Sequence, residues 1–125
     1  MNVSARNRVG TGDDILIAGF NIAGTGTMRL LIRAVGPKLS AFGVTGFLAD
    51  PKLEIYTSAG SKLMEDDNWS SILAVTFSVV GAFALDAGSR DAALLAILTP
   101  GSYTVQVRGA DGGTDEALIE IYEVP

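Results

Sequence analysis

The consecutive polar residues Glu65-Asp66-Asp67-Asn68 place hard oxygen ligands side by side, with Asp50 a further candidate neighbour. Ca²⁺ binds where about six to eight such oxygens converge. Asp66, Asp67 and Asn68 are therefore the candidate metal ligands, and calcium is the one cofactor considered. The stretch lacks the alternation and the glycine of an EF-hand loop, so a solvated turn is the competing reading. Asp13 with Asp14, and Asp111 with Asp115, form weaker acidic groups. Two carboxylates facing one another could also hydrolyse a glycosidic bond, but nothing in the spacing selects a pair.

Other chemistries are closed by composition. The chain has no Cys and no His, which removes thiol nucleophiles, Cys or His metal sites and the Ser-His-Asp triad. Gly10-Thr11-Gly12 and Gly24-Thr25-Gly26 lack the Gly-Lys-Ser/Thr ending and strand-to-helix setting of a phosphate loop. They read as turns, and the chain is not expected to be an enzyme. Nine Lys and Arg against 14 Asp and Glu give a formal charge of −5. Nucleic acid is then a poor partner, because phosphate binding needs clustered cations.

Aromatic residues offer a different function. Trp69, the only Trp, with Tyr56, Tyr103 and Tyr122, could form a platform for carbohydrate or another surface polymer. The competing reading makes Trp69 a plug at the edge of the core. Asn68-Trp69-Ser70 and Asn2-Val3-Ser4 match the short glycosylation sequon, which matters only in a glycosylating host.

The elements that would position these groups are mostly strands. Met28 to Pro37, MRLLIRAVGP, carries Leu30, Ile32 and Ala34 on one side and Leu31, Arg33 and Val35 on the other. Such a run can be covered on both faces, as a central strand must be. Asn2 to Arg6 is a short first strand that could pair in its own sheet or add to a neighbour's edge. Ile15 to Ile22 is the second, with Gly19 marking a bulge or a close backbone approach. The loop Ala23 to Thr27 predicts an antiparallel hairpin with the central strand. Pro37 to Phe42 makes one helical turn. Lys52 to Thr57 points Leu53 and Ile55 inward and turns at Ser58-Ala59-Gly60 into Lys62-Leu63-Met64. Asp91 to Leu98 is apolar on both sides. Ser102 to Arg108 alternates with Tyr103, Val105 and Val107 on one face, and Ala110 to Asp115 reads as a further hairpin loop. The last strand, Ala117 to Val124, has Ile119 and Ile121 inward and Glu120 outward. About eight strands, short turns and 15 Gly predict an all-β fold: an antiparallel, jelly-roll-like β-sandwich forming a single domain over residues 1–125.

Ser70 to Phe83 is the exception. Its β-branched residues favour strand, but a Ser N-cap and the stripe Ile72, Val75 or Thr76, Val79 and Phe83 predict a helix. The run Ile72 to Leu85 is too short and too interrupted to span a bilayer, so no membrane insertion is expected. Ile72, Val75, Phe77, Val79 and Val80 exceed what one buried stripe needs. They are candidates for an interface with another copy, against burial inside their own domain. Met1-Asn2-Val3-Ser4 shows no signal-peptide pattern, as expected of a cytosolic protein or of a module within a longer exported chain.

The wording NVSARNRVGTGDDILIAGFNI, LIRAVGPKLSAFGVTGFLADPKLEIY, EDDNW and GAFALDAGSRDAALLAILTPGSYTVQVRGADGGTDEALIEIYEV resembles a module of large exported proteins. Those proteins occur in Verrucomicrobia, Acidobacteria and related bacteria, and carry the module in tandem or at the C-terminal end. The second half is also similar to bacterial pre-peptidase C-terminal domains, β-sandwiches beside secreted enzymes. The resemblance implies an extracellular or cell-surface, non-catalytic module and carries over no catalytic residue. Ser70 to Val80 is more apolar than the corresponding stretch of the look-alikes, which favours assembly through that face. The expected function is structural or adhesive, through neighbouring copies or adjacent domains. The alternative is a module that binds a polysaccharide.

Overall fold

The computed structural model describes residues 2–125. Eight strands form the sandwich: β1 (Asn2–Val9), β2 (Leu16–Ile22), β3 (Met28–Val35), β4 (Pro51–Thr57), β5 (Lys62–Asp66), β6 (Ala92–Leu98), β7 (Gly101–Gly109) and β8 (Asp115–Glu123). The first sheet runs β1-β8-β3-β6 and the second β2-β7-β4-β5, and every strand pair is antiparallel. The result is an all-β, antiparallel sandwich with one short helix, α1 (Ala74–Val80), and two 3-10 turns, Pro37–Phe42 and Ser71–Leu73. No helix among the described residues is long and apolar enough to cross a membrane.

Strand alternation builds two apolar layers rather than one. Leu30, Ile32 and Ala34 of β3 meet Leu53, Ile55, Val105, Val107, Ile119 and Ile121 between the sheets. The opposite face of β3, with Leu31 and Val35, packs with Leu39, Trp69, Phe77, Leu85, Ala93 and Val124. The second layer lies between the outer face of the first sheet and a cover made from the 3-10 turns and α1. A strand that is apolar on both sides has a place only where both faces are covered, which is why β3 sits inside its sheet.

Three sequence-based expectations are corrected. Ala23 to Thr27 does not close a hairpin: β2 pairs with β7 and β3 lies in the other sheet, so this loop crosses between sheets. The same holds for Ala110 to Asp115, which joins β7 to β8 across the sandwich. Gly-rich loops serve both purposes, and local chemistry does not separate a turn back from a crossing. The register of β2 with β7 runs without interruption past Gly19; the bulge lies at Ile55/Tyr56, opposite β5. β1 pairs within its own sheet, from Asn2 opposite Tyr122 to Val9 opposite Asp115. It remains an edge strand with one free side.

Ser71 to Val80 is helical, as predicted. Ser70 stands at the N-cap in extended conformation, but its side chain makes no cap hydrogen bond. Gly81, at φ 75°, ends α1 in the left-handed region that a side chain disfavours, and its N–H is held by the Phe77 and Ser78 carbonyls. Gly36 is required for a different reason: a Cβ there would collide with the Leu48 carbonyl oxygen.

Candidate functional site

The outer face of the first sheet holds the most unusual chemistry in the molecule. Arg33 on β3 is fully buried and Glu120 on β8 is 6% exposed, and the two strands place them directly opposite one another. Arg33 Nε donates to Glu120 Oε1 at 2.9 Å, and Nη1 donates to the Phe83 carbonyl at 2.6 Å. Nη2 lies 2.8 Å from the same Oε1, an ion-pair contact outside hydrogen-bond alignment, so it is left without a hydrogen bond. The Tyr122 hydroxyl donates to Glu120 Oε2 at 2.6 Å. Burial first, then the Glu120 carboxylate, pushes the Tyr122 hydroxyl up to about 12.

The guanidinium also sits between two rings, 4.7 Å from the Phe77 centroid and 4.3 Å from that of Phe83. Phe77 belongs to α1, and Phe83 follows it on the returning chain. Arg33 therefore pins the helical cover to the sheet by charge, hydrogen bond and cation–π contact together. Trp69 completes the attachment: its ring packs 5.2 Å from Phe77, and its Nε1 donates to the Asp86 carbonyl and to Ser89 Oγ. Ser89 Oγ in turn donates to Asp91 Oδ2 at 2.7 Å, while Asp91 Oδ1 accepts the N–H groups of Gly36 and Lys38. Asp91 thus satisfies donors at the start of the Pro37–Phe42 turn, where no residue of that turn supplies a cap.

The pinned face of α1 is Leu73, Phe77 and Val80, spaced i, i+4, i+7. Ile72, Val75 and Val79 point away and are 80%, 73% and 57% exposed. This corrects the sequence reading in two respects. Phe77, a candidate interface residue, is 2% exposed and belongs to the core, and Val80 is partly buried against it. Ile72, Val75 and Val79, candidates in the same reading, stand on the outward face. A groove of about 270 Å³ lined by Arg6, Leu39, Phe42, Phe83 and Leu118 is linked to this segment through Phe83, which flanks the same guanidinium as Phe77. Phe42 is 59% exposed and packs edge-on against Phe83.

The other candidates are dispersed. Trp69 is a core residue, and Tyr103 is buried with its hydroxyl donating to the Thr99 carbonyl. Tyr56 lies on β4 of the second sheet and Tyr122 on β8 of the first, so the four aromatics make no common platform. Asp66 Oδ2 accepts the Ala93 N–H, tying β5 to β6 across the sandwich. Burial is the main cause that raises the Asp66 carboxyl above its usual range, against that hydrogen bond. Asn68 donates to Asp67 on the surface. No group of three or more His, Cys, Asp or Glu converges on a common point among the described residues.

The carboxylates of the buried residues Glu54, Asp91 and Glu120 are all engaged, whereas Oδ1 of the partly exposed Asp50 is buried without a hydrogen-bond partner. Glu54 accepts Arg108 Nε at 2.7 Å, Glu120 holds Arg33, and Asp91 holds backbone. A carboxylate fixed by such partners is a structural acceptor. Sequence reasoning placed Arg33 and Glu120 on strands but missed their pairing. The signal available was a charge at an inner-strand position in each of two apolar runs.

No family model matches the chain, and no curated protein matches it. Among solved structures, it is similar to the pre-peptidase C-terminal domain of a collagenase from Bacillus anthracis. The TM-score is 0.58 at 11% sequence identity, covering 97% of this chain and 89% of that domain. At that identity the likeness concerns the fold alone, an antiparallel β-sandwich.

Proposed function

We propose that this chain is a non-catalytic, extracellular β-sandwich module that works by associating with neighbouring copies of itself or with adjacent domains. One observation carries the reading: Ile72, Val75 and Val79 stand 80%, 73% and 57% exposed on a segment held firmly from beneath. A helix needs only one apolar stripe to attach itself, and α1 has that stripe in Leu73, Phe77 and Val80. The second stripe has no task within the monomer and is the kind of exposed apolar surface that marks an interface. Placement outside the cell, in an exported bacterial protein that repeats the module, is supported by the resemblance of LIRAVGP, DPKLEIY and DAALLAILTPGSYTVQV to exported tandem modules. The collagenase domain supports the fold side of that likeness.

Size-exclusion chromatography with light scattering across a wide concentration range tests the reading. A mass rising above the 13.0 kDa of one chain supports it. A fixed 13.0 kDa species at every concentration overturns self-association and leaves a spacer or a polymer-binding module, which a glycan panel then separates.

A further inference from the structure

We propose that two copies pair through this cover about a two-fold axis. The Val75 and Val79 crest of each copy then seats in the groove of Leu39, Phe42, Phe83 and Leu118 on the other. The proposal rests on the association reading above and goes beyond it by fixing the partner surface and the symmetry.

Crest and groove share a face. Phe77, beneath the crest, and Phe83, in the groove wall, flank the same Arg33 guanidinium. A crest and a groove on one face suit a closed two-fold pair, in which both contacts form at once. Head-to-tail growth needs them on different faces.

Charge agrees with a second copy as occupant. The molecule carries −5 overall, yet Trp69 to Leu85 contains no Asp, Glu, Lys or Arg. Two copies meeting here bring no like charges together from that segment. The one charged residue lining the groove is Arg6, paired loosely with Glu116 at 3.7 Å, so the groove lining presents no anion to the uncharged segment that enters it.

Area agrees as well. The exposed parts of Phe42, Ile72, Val75 and Val79 (59%, 80%, 73% and 57%) amount to roughly 500 Å² per copy, so a reciprocal contact that covers all four removes at most about 1,000 Å² from them, the lower limit for a specific interface. An interface of this size belongs with the weak, transient ones.

The test uses the full chain and two exposed substitutions, Val75→Asp and Phe42→Lys, with circular dichroism confirming that each variant folds. The expected result is a concentration-dependent mass approaching twice 13.0 kDa for the wild type. Each variant alone stays monomeric. A 1:1 mixture of the two dimerises, because one crest–groove contact is intact and the introduced carboxylate and ammonium attract each other across the second. Loss of dimer in Val75→Asp alone, with Phe42→Lys unaffected, means crests pack on crests and overturns the groove assignment. Two variants that dimerise like wild type place association elsewhere, for example at the free edge of β1, and overturn this inference while leaving the association reading. A mixture that stays monomeric overturns reciprocity. A wild type that never exceeds one chain overturns the association reading itself.

Discussion

Replacing Glu120 by Gln keeps the side-chain volume and an oxygen that can still accept from Arg33, but it removes the charge. Arg33 is fully buried, so its cation loses the compensating carboxylate while staying out of water. Breaking one side of a buried pair costs about 3–5 kcal/mol. The Phe83 carbonyl at 2.6 Å and the two aromatic rings continue to hold the guanidinium, which puts the expected loss near the lower end, about 3 kcal/mol. For a domain of this size that lowers Tm by roughly 10–15 °C. Removing both charges, as Arg33→Met with Glu120→Leu, leaves no buried ion and recovers most of the loss, because a packed apolar pair often equals a buried ion pair. Urea unfolding followed by far-ultraviolet circular dichroism and by Trp69 fluorescence measures both variants. Trp69 packs on Phe77, so its emission also reports whether the cover opens before the sheets do. A loss under about 1 kcal/mol in Glu120→Gln, or a double variant as weak as the single one, would refute the pinning role assigned to this pair.

Three further outcomes are expected. Asp91→Ala strands the N–H groups of Gly36 and Lys38 and destabilises by about 2–3 kcal/mol in denaturant titration, whereas Asp91→Asn, which keeps an acceptor, costs about half as much. In an alkaline absorbance titration one tyrosine ionises near 12, and Tyr122→Phe removes that step. The folded state binds this proton more tightly than the unfolded chain, so its stabilising effect is complete below the ordinary tyrosine value of 10.0 and is lost as pH rises through about 12. Addition of Ca²⁺ or of EDTA leaves Tm unchanged, because Asp66 is committed to the Ala93 N–H. A rise of several degrees with Ca²⁺ would instead put a cation among Asp66, Asp67 and Asn68.

Sequence alone determined which segments are strands and which of their faces are apolar. Tyr103, Val105 and Val107 alternate with polar residues, and β3 is apolar on both sides; side-chain direction along a strand has a period of two, so such patterns read directly. For Ser70 to Phe83 it offered two local signals in conflict, apolar residues three and four apart for helix and β-branched residues for strand, and the helix prevailed over Ser71 to Val80. What only the tertiary structure decided is which strands become neighbours. The loops after β2 and β7 carry the same glycines whether they turn back or cross to the other sheet, and pairing depends on contacts far apart in the chain. The facing of α1 was undecided for a related reason. With apolar residues on both sides of the helix, periodicity names two stripes, and the sheet surface chose Leu73, Phe77 and Val80 because Arg33 and Trp69 wait beneath Phe77. Arg33 and Glu120 themselves lie 87 residues apart. Their types were visible in the sequence, but their pairing is a property of register between β3 and β8, which only the folded sheet sets.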